Sequence, residues 1–568
     1  MSDTADWLAR WRTEAETLHW ERPFDAVTTG EGTERRWFPG GRLNAAVNCL
    51  DRHLPARAGQ VAIHWEGEPG DRRSLTYGEL HAEVVAAAAG LAGLGVGPGD
   101  RVALYVGLIP EAVVMALACS RLGAVHVLMT QALPVEALAD RLAVVRPRVL
   151  VTADAAWRHG MLVPLKARAD EALAAVGAVD ATVVIRRAGL DVAWYEGDVA
   201  YQDLLAAGRA AGAAGGGGAG PGAPAAVPSD HPLLVMQLAN RQGRPTGIVH
   251  GTAGYLAATA ALHRDALTSS PTDPIFCAIE FAWAGQSQGV YGPLVAGGTT
   301  VLFEGMLDTP RRSRTWELID RYGVHTFLTT PSVVRKLRSW GEAGLGDFGL
   351  DSLRLVVTGG ERLDAASADW LVKHVTRGRA VVADGWGQLE QGGLVTVTPL
   401  PPAAAGPPDP GADVLLPGGE PAPPGTTGDM VVRRPWPATF VAIEGGDHPP
   451  ADYFDRHPGL FTTGDWARRE ADGSVVCLGR QDPMISVSGQ LVSLAELADV
   501  LRDHPFVREA EVKRVDSGEV PEIVAYVVLE DGVPRSAGTD SELVAHVHDT
   551  IGGLARPRRI VYVDALEG

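Results

Sequence analysis

The stretch Met236-Gln-Leu-Ala-Asn-Arg-Gln-Gly-Arg-Pro-Thr-Gly247, followed by Ile248-Val-His-Gly-Thr-Ala-Gly-Tyr-Leu256, decides the fold of this chain. An apolar run at 233–236 predicts a buried strand before it, and an Ala-rich run at 256–267 predicts a helix after it. A Gly-containing loop between a strand and a helix is where α/β proteins bind phosphate, because free backbone N–H groups converge there. This loop has two Gly and a Pro, but no Ser and no Lys, and its only Thr comes late. The stretch predicts the framework of a phosphate loop without most of its chemistry.

Alternating strand and helix patterns run outward from this stretch and predict an α/β fold with parallel sheets covered by helices. Thr76 is the expected N-cap of a helix that follows a strand at 61–67. The patterns predict strands at 101–106, 125–129 and 149–152, and helices at 111–122 and 134–145. A second α/β block follows over 276–400, and a β-rich segment covers 430–478.

The sequence as a whole predicts two domains: a large one over 1–480 and a small α+β domain over 483–568. Asp482-Pro483 marks the boundary, because Asp-Pro breaks regular structure. In the small domain the patterns predict helices at 494–502 and 541–551 and strands at 509–515 and 522–529. A run of Ala and Gly over 206–228 predicts a flexible surface loop without function of its own.

Composition narrows the class of function. The net charge of −19 argues against a nucleic-acid-binding surface. The 568 residues hold only four Lys, so few amines are available for catalysis. Four cysteines lie far apart without a CxxC pair, which indicates reduced core residues of a cytoplasmic protein. We expect neither a signal peptide nor a membrane span, since no long uncharged apolar run occurs.

The loop, with Gly243, Pro245 and Gly247 in place, resembles the phosphate loop of acetyl-CoA synthetases within the adenylate-forming superfamily of acyl-CoA synthetases, adenylation domains and luciferases. Residues 37–53 resemble the amino-terminal segment of that branch. The resemblance spans about residues 20–566 and implies a large adenylate-forming domain of parallel sheets, helices and a β-rich subdomain, with a small α+β carboxy-terminal domain. Arg241 and Arg244 stand at or near the loop's phosphate-binding positions, with Arg244 replacing a family Lys.

The resemblance also implies a nucleotide site. Gly360 and Glu361 match the motif under the adenine, Asp465 matches the ribose-binding carboxylate, and Arg480 matches the arginine that reaches ribose and phosphate. Asp482 matches the hinge position between the domains. These matches imply ATP or AMP as a ligand, retained only in part.

The motif that reads W-W-Q-T-E-T-G-G in the family is Trp386-Gly-Gln-Leu-Glu-Gln-Gly-Gly393 here. Glu390 keeps the position of the Mg²⁺-binding carboxylate, while Leu389 and Gln391 replace the two threonines that flank it. Gly387 replaces a Trp that closes the acyl pocket in the family, so we expect a pocket larger than acetate; the alternative is a Gly required by backbone geometry. The substrate-pocket residues implied by the resemblance are Phe281, Trp283, Thr330, Trp386 and Gly387.

The matches to the coenzyme A site are poorer. The segment Thr130-Gln-Ala-Leu-Pro134 replaces a Gly-Gly loop, Met161 replaces a CoA-binding Arg, and Leu491 replaces another. The family continues into a motif that ends in a catalytic Lys, whereas this sequence stops at Gly568, and we expect its adenylation step to suffer. CoA binding is therefore doubtful.

Three functions remain open from the sequence. The first is a repurposed homologue without ordinary ATP-dependent acyl-CoA synthesis, which binds a carboxylic acid or acyl intermediate, or catalyses a different condensation. The second is an active ligase that transfers the activated acyl group to an amine, a hydrazine, a carrier protein or CoA, with Arg241 and Arg244 in place of Lys. The third is a non-catalytic subunit of a partner enzyme.

Overall fold

The computed structural model describes residues 2–177, 179–214, 220–239, 245–268, 270–279, 281–282, 285–342, 344–400, 411–446, 449–481, 484–487, 490–515, 522–552, 556–564 and 566. The amino-terminal segment packs on the large domain through aromatic side chains: Trp11 lies edge-on to Trp436, with ring centroids 5.2 Å apart. Its elements are α1 (Ser2–Glu16), β1 (Thr28–Thr29), β2 (Arg36–Trp37), β3 (Arg42–Leu43), α2 (Ala45–Cys49) and α3 (Leu54–Arg57).

The next part of the chain alternates strands and helices, as the sequence predicts. A capping box of Thr76 and Glu79 starts α4, which confirms the predicted N-cap. The elements are β4 (Val61–Gly67), β5 (Arg72–Thr76), α4 (Tyr77–Gly93), β6 (Arg101–Tyr105), α5 (Pro110–Leu122), β7 (Val125–Met129), α6 (Val135–Val145), β8 (Val149–Ala153), β9 (Ala156–Arg158), β10 (Met161–Val163), α7 (Leu165–Val176), β11 (Ala181–Ile185), β12 (Asp198–Ala200) and α8 (Tyr201–Ala214).

Helix α8 corrects the expectation of a loop over 206–228, because residues 206–214 are helical. Alanine favours helix, and Gly208 lets α8 lie directly against α4. A Cβ at Gly208 would lie 2.8 Å from the backbone nitrogen of Gly90 and 2.9 Å from the carbonyl carbon of Ala86. Glycine here therefore serves close helix packing rather than chain flexibility.

The central part carries two further corrections of detail. The region around residues 236–247 contains two antiparallel strands, at 232–239 and 245–251, where the sequence predicts one strand, and the helix that follows begins at Thr252 instead of 256. The elements are β13 (Val227–Pro228), β14 (Pro232–Ala239), β15 (Pro245–Gly251), α9 (Thr252–Leu262), β16 (Ile275–Cys277), α10 (Gly292–Ala296), β17 (Thr300–Glu304), α11 (Arg314–Arg321), β18 (Thr326–Thr329), α12 (Pro331–Ser339), β19 (Leu355–Gly359), α13 (Ala365–Trp370), β20 (Val381–Gln388) and β21 (Gly393–Leu400).

Two eight-stranded sheets form the body of the large domain. The first has the order β12-β11-β8-β6-β7-β14-β15, followed by an edge strand at 442–443, and the second has the order β21-β20-β19-β18-β16-β17-β4-β5. The first sheet is parallel from β12 to β14 and antiparallel from β14 to the edge strand at 442–443, whereas the second is parallel at its centre and antiparallel at both edges. Every residue of α9 and nearly every residue of α5 is buried, as expected for helices enclosed within a core.

The β-rich subdomain and the small domain complete the chain. The subdomain is a four-stranded antiparallel sheet of order β22-β23-β25-β26. The small domain packs α15 and α16 on a three-stranded sheet. The elements are β22 (Ala412–Leu415), β23 (Thr427–Val432), β24 (Ala442–Ile443), α14 (Asp452–Asp455), β25 (Phe461–Arg469), β26 (Val475–Arg480), β27 (Met484–Val487), β28 (Gln490–Ser493), α15 (Leu494–Arg502), β29 (Val507–Val515), β30 (Glu522–Leu529), α16 (Ala537–Ile551) and β31 (Arg559–Tyr562).

No helix within the described residues is long and apolar enough to cross a membrane. All four cysteines are described, and none forms a disulfide; Cys49, Cys119 and Cys277 are buried, as expected from the sequence. The fold is therefore the predicted α/β architecture with a β-rich subdomain and a small α+β domain.

Candidate functional site

A buried carboxylate on the subdomain sheet, that of Asp465, is the centre of the candidate site. Gln388 donates its side-chain N–H to Asp465 Oδ2 at 2.8 Å, and the indole N–H of Trp386 lies 3.4 Å from the same oxygen. Arg480 Nη1 lies 3.6 Å from Asp465 Oδ1 and donates to the carbonyl of Thr463 at 3.1 Å. The end of β20 therefore meets β25 and β26, and the structure brings together the predicted residues Asp465, Arg480 and Trp386.

A second buried carboxylate, that of Asp429 on β23, supports this centre from behind. Asp429 Oδ2 accepts from His457 Nε2 and Arg456 Nε, each at 2.8 Å, and Oδ1 accepts from the amide of Gln481 at 2.8 Å. The same Gln481 amide donates to the backbone carbonyl of Asp465 at 2.9 Å. Asp429 is fully buried, so these donors replace the water that it loses on folding. Asp429 was not among the predicted site residues, although a carboxylate directly before the apolar run of β23 indicates a buried charge.

The carboxyl ends of β19 and β20 form the side of the candidate site that belongs to the second eight-stranded sheet. Arg335 of α12 donates to Glu361 Oε2 at 2.5 Å, just after Gly360. Burial raises the pKa of Asp384 on β20 to about 6, against the smaller opposing effects of a backbone hydrogen bond near Leu363 and the charge of Arg362. Gly359 pairs with Gly385 across the two strands. The predicted adenine motif and the start of the Trp386 motif are thus neighbours at one edge of the second sheet, where open α/β sheets bind ligands.

Glu390 lies in a short turn between β20 and β21, and its carboxylate is buried. The hydroxyl of Tyr453 donates to Glu390 Oε1 at 3.3 Å, whereas Oε2 has no hydrogen-bond partner among the described residues. An unpartnered buried carboxylate oxygen fits a Mg²⁺ ligand, because Mg²⁺ takes one or two protein carboxylates and completes its shell with water and phosphate. No cluster of three or more His, Cys, Asp or Glu side chains suited to a metal occurs within the described part of the chain.

The neighbours of Glu390 in the turn are apolar or amide side chains. Leu389 is buried against the main hydrophobic core. Both polar side-chain atoms of Gln391 are buried and lack a hydrogen-bond partner among the described residues. Its backbone carbonyl accepts from the indole N–H of Trp436 at 3.1 Å, and the Glu390 carbonyl accepts from the backbone of Phe440 at 2.8 Å. The segment around 436–440 therefore fixes this turn.

Gly387 is explained by the close approach of β20 and β21. A Cβ at this position would lie 2.7 Å from Leu394 Cα and 2.8 Å from the carbonyl carbon of Gly393, and its carbonyl oxygen would be closer still. The strand register shifts between Trp386 and Gly387. This close approach supports the alternative, a Gly required by backbone geometry, and a pocket larger than acetate stays a prediction.

The other predicted substrate-pocket residues are placed separately. Phe281 is buried in the main core, and Thr330 caps α12, where its hydroxyl accepts from the backbone of Val333 at 3.4 Å. Trp283, Arg241, Arg244 and Asp482 lie outside the described residues, so their assigned roles stay predictions.

The segment 130–134, which the resemblance places at the CoA loop, lies near the acidic side chain of Glu304. Gln131 Oε1 and Glu304 Oε1 both lie beside Gly107, at 2.8 and 3.3 Å from where its Cβ would be. Neither oxygen has a hydrogen-bond partner among the described residues. Burial raises the pKa of Glu304 to about 7 against the opposing hydrogen bond from Arg187, and Met161 is 69% exposed. Acceptor oxygens and an exposed thioether do not favour a phosphate, so the CoA-binding role stays doubtful.

Comparison with known proteins gives colinear matches to three family models. Residues 4–49 match the acetyl-coenzyme A synthetase N-terminus, residues 50–440 match the AMP-binding enzyme, and residues 496–567 match the AMP-binding enzyme C-terminal domain.

Relatives that align along nearly the whole chain are named acetyl-coenzyme A synthetase. The acetyl-coenzyme A synthetase of Streptomyces coelicolor is 37% identical, over 99% of this chain and 87% of its own length. Those of Mycobacterium tuberculosis and Rubrobacter xylanophilus are 39% and 37% identical, each over 99% of this chain and 88% of their own length. The chain belongs to the AMP-binding enzyme family, and it is an acetyl-coenzyme A synthetase-like member of the adenylate-forming superfamily.

Proposed function

We propose that this protein binds an adenine nucleotide of the AMP or acyl-adenylate type, together with a small carboxylic acid or its acyl group. We further propose that it does not carry out ordinary ATP-dependent acyl-CoA synthesis, and that its cleft serves a different condensation or a binding role. The single observation behind this proposal is a buried carboxylate, that of Asp465, which accepts from Gln388 next to a turn whose residues Leu389 and Gln391 carry no hydroxyl.

The adenosine side of the cleft supports nucleotide binding. The Asp465 carboxylate is held in place by Gln388, Trp386 and Arg480. Because it is already ordered, a ligand loses no binding free energy to fixing its position. One carboxylate can accept both ribose hydroxyls, and hydrogen bonds to a charged group are about twice as strong as neutral ones.

The phosphate side supports the loss of ordinary turnover. A side chain that donates to a phosphate oxygen must carry N–H or O–H, and Leu389 carries neither. Loss of one donor positioned at developing charge typically slows an enzyme by about 10²- to 10³-fold. Glu390 would hold Mg²⁺, whose chemistry here is to offset phosphate charge.

The free cysteines suit a reducing compartment, and we place this function in the cytoplasm.

ATP–pyrophosphate exchange with a panel of carboxylic acids, combined with calorimetric titration of AMP, tests the proposal. We expect AMP to bind, pyrophosphate exchange to stay at background, and Asp465→Ala to weaken AMP binding by about 10-fold or more. Asp531→Ala, which removes an exposed carboxylate of the small domain, is the matched control and keeps AMP binding. Robust exchange that disappears in Asp465→Ala overturns the proposal, as does AMP binding that is absent or indifferent to Asp465.

A second candidate, an active carboxylate-activating ligase, is favoured by one observation. Glu390 keeps a buried carboxylate with an unpartnered oxygen, which suits a metal-nucleotide complex. The double variant Leu389→Thr, Gln391→Thr separates the two functions, because it restores both hydroxyls of the turn. We expect it to raise pyrophosphate exchange above background if the turn limits the reaction; in an already active ligase it changes exchange little.

A further inference from the structure

A cavity of about 70 Å³ shares only the turn residue Gln391 with the candidate nucleotide site. Its walls come from the amino-terminal segment 32–37, the first turn of α9, the segment 432–441 and the turn residue Gln391. Asp465, Glu361 and Arg480 do not line it. Trp37, Trp436 and Phe440 give it an aromatic wall, which favours an apolar group.

The charged residues of this cavity are mostly cationic, although the chain as a whole carries −19. Four arginines and one aspartate line it among the described residues. Arg36 pairs with Asp230 at 3.5 Å, Arg433 pairs with Asp413 from outside the cavity, and Arg434 stacks on Trp7 at 5.4 Å.

Arg35 differs from the other three arginines. Its guanidinium forms no hydrogen bond or ion pair within the described part of the chain, and partial burial lowers its pKa although the nearby charge of Glu31 opposes this. A guanidinium that has lost water without gaining a partner is open to an anionic ligand.

Gln391 adds a second polar group with unused hydrogen-bonding capacity. It is 1% exposed, and neither its amide oxygen nor its amide nitrogen has a partner among the described residues. A buried polar group without a partner destabilises the folded protein. A ligand that accepts from the amide removes part of this destabilisation, and Trp436, which binds the Gln391 carbonyl at 3.1 Å, keeps the residue at the cavity wall.

We propose that this cavity is a binding site for a short-chain monocarboxylate, whose carboxylate lies between the Arg35 guanidinium and the Gln391 amide and whose apolar tail contacts the aromatic wall. One water needs about 10 to 15 Å³ of volume measured in this way, so a cavity of about 70 Å³ has room for a ligand of a few heavy atoms. The aromatic wall favours a ligand with an apolar tail over phosphate or sulfate, which have none. Gln391 also belongs to the turn beside the Asp465 cleft, whereas Arg35 does not, so variants of Arg35 test this site separately from the proposed function.

Saturation-transfer NMR with sodium propionate at constant ionic strength tests this site on the full chain. We expect saturable binding to the wild type and an affinity at least about 10-fold lower in Arg35→Gln. Arg35→Lys should restore part of the affinity, because it restores the charge without the planar fork. Arg508→Gln removes an exposed arginine of the small domain and should leave binding unchanged.

The other outcomes either overturn this site or separate it from the proposed function. Absence of propionate binding, or equal affinity in the wild type and Arg35→Gln, overturns it. Loss of propionate binding in Asp465→Ala would place the ligand in the nucleotide cleft and also overturns it. If AMP fails to bind while propionate binds in an Arg35-dependent way, the proposed function fails and this site stands.

Discussion

Replacing Gly387 with Ala tests whether this position faces an open pocket or the neighbouring strand. The added methyl group would meet Leu394 Cα at 2.7 Å and the Gly393 carbonyl carbon at 2.8 Å. Carbon atoms at optimal separation lie about 3.5 to 4.0 Å apart, so β21 must move by about 1 Å. Both opposing groups are backbone, and no side-chain rotation can relieve the overlap.

We expect Gly387→Ala to destabilise the large domain by about 2 kcal/mol, within the usual 1 to 3 kcal/mol for overpacking. The measurement is the urea midpoint followed by tryptophan fluorescence, with the wild type as reference. Because Trp386 is the adjacent residue and contacts Asp465, AMP affinity should fall as well. Gly387→Trp should be worse, although Trp is what the family resemblance places there.

Gly93→Ala is the matched control, because Gly93 ends α4 and has nothing within 4 Å of its Cβ position. It should be neutral or stabilise by up to about 1 kcal/mol. If Gly387→Ala is as stable as the wild type, position 387 faces open space rather than the backbone of β21, and the prediction of a larger acyl pocket is supported instead.

Three further perturbations test other parts of the structure. Burial raises the pKa of Asp384 to about 6, so the folded state holds the proton of this carboxyl more tightly than the unfolded state, and the free energy of unfolding falls as the pH rises from about 4 to 6. Asp384→Asn should therefore be up to about 3 kcal/mol more stable than the wild type at pH 7.5 but little different at pH 4, measured by urea unfolding at both pH values. Asp429→Asn should lose about 3 kcal/mol, because it removes a buried charge that faces His457 and Arg456, and AMP affinity measured by calorimetry should fall with it; unchanged stability contradicts this. Gly208→Val should lower the thermal midpoint, because its Cβ meets the backbone of α4, whereas Gly212→Val, with nothing within 4 Å, should change it little.

The sequence predicts most elements of this fold because their signals are local. The strand at 125–129, the helix at 494–502 and the strand at 522–529 have the predicted bounds. Their apolar spacing follows a period of two or 3.6 residues, which depends only on neighbouring residues.

Two predictions of local structure failed because tertiary packing decided them. Residues 245–251 form β15 although they contain Pro, Gly and His, since pairing with β14 and β24 supplies the hydrogen bonds. Residues 206–214 read as a loop because of their Gly content, but packing on α4 makes them helical. Strand pairing and helix packing join residues far apart in sequence, which local composition does not report.

The candidate site was predictable only in its outline. Resemblance placed Asp465 and Arg480 in the same site, and the structure puts them 3.6 Å apart. The supporting Asp429, His457 and Gln481 come from three segments whose proximity only the fold reveals.

The side-chain amide of Gln481 links two neighbouring strands of the subdomain sheet. It holds the Asp465 backbone and the Asp429 carboxylate at once, and it is followed, one residue later, by the predicted joint to the small domain. A rotation of that domain would pull first on this single side chain. The Asp465 backbone and the Asp429 carboxylate are therefore both tied to the residue that precedes the predicted hinge, and we expect nucleotide affinity to change when Gln481 is replaced.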